Sequence, residues 1–176
     1  MTGQNSYLKA AFRRQQNLSN HLIRAKVPQH ERDRPRRYIK GMKKCGAQCT
    51  ACPYILEGQD IKINGEQWKI NRQINCNSYN LVYAIYCLKD NCRQVYIGET
   101  KRMLKFRLAD HHGYVTNNVT SQATGEHFNL PGHSLADLRV TVIEQTARRS
   151  SEYRKEREHY HIQKFNTFHR GINKIK

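Results

Sequence analysis

Leu81-Val82-Tyr83-Ala84-Ile85-Tyr86-Cys87 and Gln94-Val95-Tyr96-Ile97-Gly98 flank a short polar run, and both are dense in β-branched and aromatic side chains. Runs of that kind bounded by polar residues read as neighbouring strands. Beyond them Thr100 is placed to cap a helix from about Lys101 to His112, with Gly113 ending it. Residues 114–133 are polar and rich in Gly, Asn and Thr, with room for one short helix. Leu138 to Glu144 alternates as a strand through Leu138, Val140 and Val142, and Ala147 to Phe165 reads as a long charge-laced helix before an irregular tail. The order β-β-α-(short α)-β-α over residues 78–176 predicts an α+β class, a small antiparallel sheet flanked by helices.

Upstream, residues 41–77 have a different character. Cys45, Cys49 and Cys52 are closely spaced, and Ile61, Ile63, Trp68 and Ile70 alternate around Asn64-Gly65. Alternation about Asn-Gly is a hairpin signal, because both turn positions need positive φ. Cys76 returns just past the second strand. A cysteine cluster, a hairpin and a fourth cysteine can enclose one tetrahedral Zn²⁺, and a module this small needs such a staple. The plainer alternative for Cys76 is a small buried residue. Cys87 and Cys92, with His127 and His133, form a second candidate zinc set of structural type, since four protein ligands leave no open position for water.

Residues 1–40 read as a basic linker or arm, with Arg32, Arg34, Arg36 and Arg37 around Pro35 and one short amphipathic segment at Leu18, Leu22 and Ile23. The whole chain of 176 residues carries 31 Lys and Arg against 14 Asp and Glu, a formal charge of +17. Residues 1–53 hold 12 basic and 2 acidic residues, so the charge is concentrated there. A polyanionic partner follows, because each neutralised phosphate releases a condensed counterion. Arg32, Arg34, Arg36, Arg37, Lys43, Lys44, Lys101 and Arg102 are the expected DNA contacts. No apolar run approaches a membrane span and no signal-peptide core is expected near Met1, so no membrane partner is expected. Six cysteines without a secretory signal favour metal over disulfides, in a nuclear or cytosolic protein.

Tyr83 closes Leu81-Val82-Tyr83 in the first strand and Tyr96-Ile97-Gly98 closes the second, Arg107 and His111 share a helix face at i, i+4, Glu158 lies midway along the last helix, and Asn173 is in the tail. Phosphodiester hydrolysis calls for such groups. A carboxylate binds a divalent cation that stabilises the leaving oxygen, an arginine steadies phosphoryl charge, and a phenol or histidine activates water. Glu156 and His112 are the nearest competitors of Glu158 and His111. A tyrosine acting as base needs a pKa below its usual value of about 10, for which Arg107 and a metal are the means; either tyrosine can fill that role.

Leu81-Val82-Tyr83, twelve residues, then Tyr96-Ile97-Gly98 resembles the paired motif of GIY-YIG endonucleases. Arg107, His111, Glu158 and Asn173 follow in the order of that family's arginine, histidine, metal-binding glutamate and C-terminal asparagine. Leu81 stands where the family has its first glycine. Cys87 and Cys92 between the motifs, the stretch Glu126-His127-Phe128-Asn129-Leu130-Pro131-Gly132-His133-Ser134, the upstream cysteines and Asn17-Leu18…Leu22-Ile23-Arg24 resemble the endonuclease and preceding linker of Penelope-like retroelements. The resemblance implies an Mg²⁺- or Mn²⁺-dependent nickase whose 3′-OH product primes reverse transcription in the nucleus. Retroelement RNA and a reverse transcriptase domain in the same polyprotein are the implied partners. A structure-specific repair or recombination nuclease, and a catalytically silent zinc-dependent nucleic-acid-binding module, are the rival readings.

Overall fold

A computed structural model describes residues 39–146 and 150–174. Arg32, Arg34, Arg36 and Arg37, and the segment at Leu18, Leu22 and Ile23, lie outside the described residues. The described chain runs through β1 (Gly41–Met42), β2 (Asp60–Ile63), β3 (Glu66–Lys69), β4 (Gln73–Ile74), β5 (Leu81–Cys87) and β6 (Val95–Thr100). It continues through helices α1 (Leu104–Thr116) and α2 (Ala123–Phe128), strand β7 (Leu138–Gln145), and helices α3 (Ser151–Lys164) and α4 (Thr167–Arg170). The class is α+β with small antiparallel sheets, as the sequence predicts.

The main sheet has the order β6-β5-β7, antiparallel throughout. Central β5 is buried at every residue except the half-buried Tyr86. That explains its continuous apolar run: both of its faces are covered, so no polar alternation is required. Strand β6 keeps the two-residue period, which sends Tyr96 and Gly98 to one side and Val95 and Ile97 to the other. Tyr83 is paired in register with Gly98, and a Cβ on Gly98 would lie 2.6 Å from the Tyr83 hydroxyl. Glycine is required there because the phenol occupies the space.

The hairpin β2–β3 forms around Asn64 (φ 50°) and Gly65 (φ 90°), the left-handed pair that a two-residue turn needs. It is fastened to the main sheet through Trp68 and to the end of α3 through Asn64. Trp68 donates its indole N–H to the Ile143 carbonyl at 2.9 Å, and Asn64 Nδ2 donates to the Phe165 carbonyl at 2.7 Å. The Trp68 ring also meets His161 edge-on at 4.7 Å. Residues 41–77 and 78–176 therefore divide the sequence without dividing the core, and Tyr38–Lys176 group as one unit.

Several element bounds differ from those the sequence suggests. The first long helix starts at Leu104, not Lys101, because Thr100 is the last residue of β6 and its hydroxyl accepts from Arg102 N instead of capping. The first helical N–H groups are met by backbone, Leu104 N donating to Ser78 O and Lys105 N to Cys76 O. Gly113 does not end the helix, which runs on to Thr116. The last long helix opens at Ser151 with Ser150 as its cap, accepting from Tyr153 N at 3.2 Å. Residues 147–149 of the expected helix lie outside the described residues. The tail, expected to be irregular, contains α4. Among the described residues no helix is long and apolar enough to cross a membrane.

Candidate active site and metal centres

Two groups of metal-ligating side chains come together, with the memberships expected from spacing. Cys45, Cys49, Cys52 and Cys76 place their sulfurs within 4.8 Å of one another, and Cys87, Cys92, His127 and His133 do likewise with their ligand atoms. Both groups can hold a metal ion such as zinc. Burial works against ionising Cys52, but backbone N–H groups of Gly46 and Cys45 and the neighbouring thiols bring its pKa down to about 7. Cys76 goes the other way, raised by burial and by the Cys52 thiol. In the second group burial and the nearby His133 bring His127 down to about 4, which leaves it neutral as a ligand must be. His133 Nε2 is buried without a hydrogen-bond partner among the described residues, the atom a metal would take.

The structure gathers Tyr83, Tyr96, Arg107, His111, Glu158 and Asn173 around one cleft of about 890 Å³. Tyr96, His111, Glu158 and Asn173 line it, and α2, α3 and α4 supply most of the remaining wall. Tyr83 lies behind that wall, buried, where its hydroxyl meets Arg107 Nε at 2.9 Å and His111 Nε2 at 2.7 Å. The other ring nitrogen of His111 is 2.8 Å from Thr124 Oγ1. The i, i+4 spacing of Arg107 and His111 thus places both on one phenol. His112 turns elsewhere, its ring 4.2 Å from that of Tyr54.

The electrostatics differ from the sequence expectation for the tyrosines. Burial raises the pKa of Tyr83 well above normal, and Tyr96 is raised for the same first reason. Arg107 acts downward on both, as expected, but does not outweigh the loss of water. Glu158 acts upward on both, so the carboxylate stands close enough for its charge to reach either phenol. Burial opposes the charge on Arg107, yet the two phenols more than compensate and its pKa is raised. His111 is lowered to about 3, first by burial and then by Arg107. A neutral histidine therefore lines the cleft, with a firmly charged arginine behind it on the same buried phenol.

Glu158 and Asn173 both act on the outer side of β6. Glu158 Oε1 accepts from Glu99 N at 3.1 Å. Asn173 binds Ile97 twice, accepting its N–H at 2.9 Å and donating to its carbonyl at 2.7 Å, while Thr167 Oγ1 donates to the same amide oxygen at 2.8 Å. Glu156 is exposed on the far side of α3, whereas Glu158 is half-buried and is the only carboxylate among the cleft-lining residues.

Sequence reasoning missed three residues here. Thr124 contacts His111, and Arg154, only 5% exposed, pairs with the Glu99 carboxylate beside Glu158. Lys105 flanks the shallow depression formed by residues 45–50 of the cysteine loop, adding to the charge of Lys43 and Lys44 next to it. An i, i+4 spacing from Arg154 to Glu158 was the only available signal, and it is common on charged helices. Lys101 and Arg102 are exposed at the start of α1, where Arg102 pairs with Asp110. No protein-family model matches the chain, and neither the curated proteins nor the solved structures contain a match.

Proposed function

We propose that this chain is a divalent-cation-dependent DNA endonuclease of the GIY-YIG type, which nicks one strand by hydrolysing a phosphodiester. The observation that carries the reading is the convergence of Tyr96, His111 and Glu158 on one cleft, with Arg107 held behind it by Tyr83. Glu158 would hold the cation, Mg²⁺ or Mn²⁺, which when bound supplies charge stabilisation to the leaving oxygen. Arg107, protonated throughout the working pH range, holds the scissile phosphate. Tyr96 reaches the cleft, where burial raises its pKa; its ionisation would need the charge of the bound cation, and the phenolate would then take the proton of the attacking water, while neutral His111 holds the Tyr83 hydroxyl without adding a competing positive charge. Tyr83 keeps Arg107 and His111 in register. Asn173 and Thr167 brace the strand that carries Tyr96.

The substrate is DNA, drawn by the basic surface of Lys43, Lys44, Lys101, Lys105 and Arg102. The likeness to Penelope-like retroelement endonucleases supports a nick whose 3′-OH primes reverse transcription in the nucleus, alongside element RNA and a reverse transcriptase domain of the same polyprotein. The test is conversion of supercoiled plasmid to open circles by wild type and by Glu158→Ala, each with Mg²⁺, Mn²⁺ or EDTA. Nicking by wild type alone, abolished by EDTA, is expected. DNA binding by both proteins without cleavage in any arm would replace the endonuclease with a zinc-dependent binding module. Preference for flaps or junctions would identify a repair or recombination nuclease.

A further inference from the structure

We propose that Thr124 is a positioning residue that fixes the tautomer of His111, and that the metal centre of Cys87, Cys92, His127 and His133 holds Thr124 in place to do so. Its consequence for cleavage rests on the endonuclease reading above; the tautomer itself does not.

The direction of the hydrogen-bond chain follows from its one unambiguous donor. Arg107 Nε–H can only donate, so the Tyr83 oxygen accepts it at 2.9 Å. The phenol proton then points to His111 Nε2, 2.7 Å away. With Nε2 accepting, a neutral His111 carries its proton on Nδ1 and donates it to Thr124 Oγ1 at 2.8 Å. Both Thr124 and His111 are buried. Removing the hydroxyl would strand a buried N–H, which favours moving the proton to the other nitrogen. Once on Nε2, that proton would compete with Arg107 for the Tyr83 oxygen.

What holds Thr124 is visible in the two elements that flank His111. Helix α2 has only six residues, too few to be stable alone, and it carries both Thr124 and the ligand His127 on one turn. Strand β5 carries both Tyr83 and the ligand Cys87, four residues apart and on the same side of the strand. A metal bound by Cys87, Cys92, His127 and His133 ties the end of β5 to α2. The same two elements supply both hydrogen-bond partners of His111. Gly125, between Thr124 and His127, lets α2 lie so close to α1 and the turn after it that a Cβ there would be 2.9 Å from the Tyr114 carbonyl and 2.2 Å from that of Val119. Asn129 Nδ2 adds bonds to Val115 O at 3.0 Å and Gly125 O at 2.7 Å. The backbone thus seats α2 against α1, and the metal sets its distance from β5.

The experiment is ¹⁵N NMR of the histidine ring nitrogens in the full-length, zinc-loaded chain. Wild type should show His111 protonated on Nδ1. Thr124→Val, which keeps the volume, should exchange or mix the two ring-nitrogen signals, and Thr124→Ser should restore them. His133→Asn should reduce bound zinc by one ion per chain and reproduce the Thr124→Val signature, whereas His133→Cys, which keeps a ligand, should retain the wild-type pattern. In a plasmid-nicking assay Thr124→Val should lower kcat about a hundredfold with KM unchanged. A Thr124→Val protein with an unaltered His111 tautomer would overturn the role of Thr124. A zinc-depleted His133→Asn protein with an unaltered tautomer would overturn the role of the metal. Neither NMR result depends on whether the chain cuts DNA.

Discussion

Asn173 occupies the outer edge of β6 as a strand would, accepting the Ile97 N–H and donating to the Ile97 carbonyl with a single side chain. An amide does this because its oxygen and nitrogen are spaced like a peptide's own acceptor and donor. Ile172 N donates to the Val95 carbonyl one step earlier along the same edge. Asn173→Ala should therefore destabilise the fold by about 1–3 kcal/mol by leaving buried backbone groups unpaired. Asn173→Asp should fail in a distinct way, keeping the acceptor for Ile97 N but turning a second acceptor toward Ile97 O. Urea unfolding checks both, and an Asn173→Ala midpoint equal to wild type would show the bonds to be dispensable.

Arg154 and Glu99 form the most deeply buried ion pair beside the candidate cation site. Arg154→Met should leave the Glu99 carboxylate without its partner and next to Glu158. A loss of about 3 kcal/mol is expected, the usual cost of breaking a buried pair from one side. Adding Glu99→Gln should recover most of it. A double-mutant cycle by chemical denaturation measures the coupling, and a coupling near zero would mean that solvent already screens the pair.

The depressed pKa of His111 makes a pH prediction with a definite sign. Its folded value is about 3 against an ordinary 6.5, so between those values the unfolded chain binds the proton and the folded chain does not. Its contribution to stability is complete above pH 6.5 and is lost progressively as pH falls toward 3. Through that window wild type should lose stability more steeply than His111→Gln, by up to about 1.4 kcal/mol per pH unit. Parallel urea-midpoint curves for the two proteins would show that His111 is protonated in the fold.

Two bound zinc ions per chain are expected by elemental analysis, and one in Cys76→Ser. Binding at the four-cysteine site should weaken as pH falls from 8 to 6, measured by competition with a chromogenic chelator. The sign follows from Cys76, whose raised pKa means that metal must displace a proton there. Affinity independent of pH across that range would mean that Cys76 is not a ligand.

The parts of this structure legible in the sequence are those set by local chemistry. Leu81–Cys87 is a strand with the bounds its apolar run suggests, Asn64-Gly65 turns the hairpin, and cysteine and histidine spacing names both ligand sets. The parts that were not legible depend on distant partners. Thr100 offered a cap, but pairing with Leu81 kept it in β6. Gly113 offered a stop, yet α1 continues through it because Val115, two residues farther on, is buried in the core. The docking of Trp68 on Ile143 spans 75 residues and leaves no periodic trace. Within the cleft the residue types were readable, but the layering was not. Tyr83 and Tyr96 share one face of the sheet, and that Tyr83 is interior while Tyr96 reaches the cleft depends on how far the helices extend over that face.

The second edge of the main sheet is closed as well. Leu56 N donates to the Val140 carbonyl, Ile55 bridges Val140, and Trp68 takes the Ile143 carbonyl, so β7 presents its outer side to the cysteine segment while β6 presents its own to the tail. A three-stranded sheet with both margins occupied has nowhere to add a strand from another molecule. Among the described residues, the margins of the main sheet therefore give copies of this chain no place to join strand to strand. Any cut on both strands of a duplex would have to come from two self-contained units meeting through helices or loops, or from one unit that lets go and binds again.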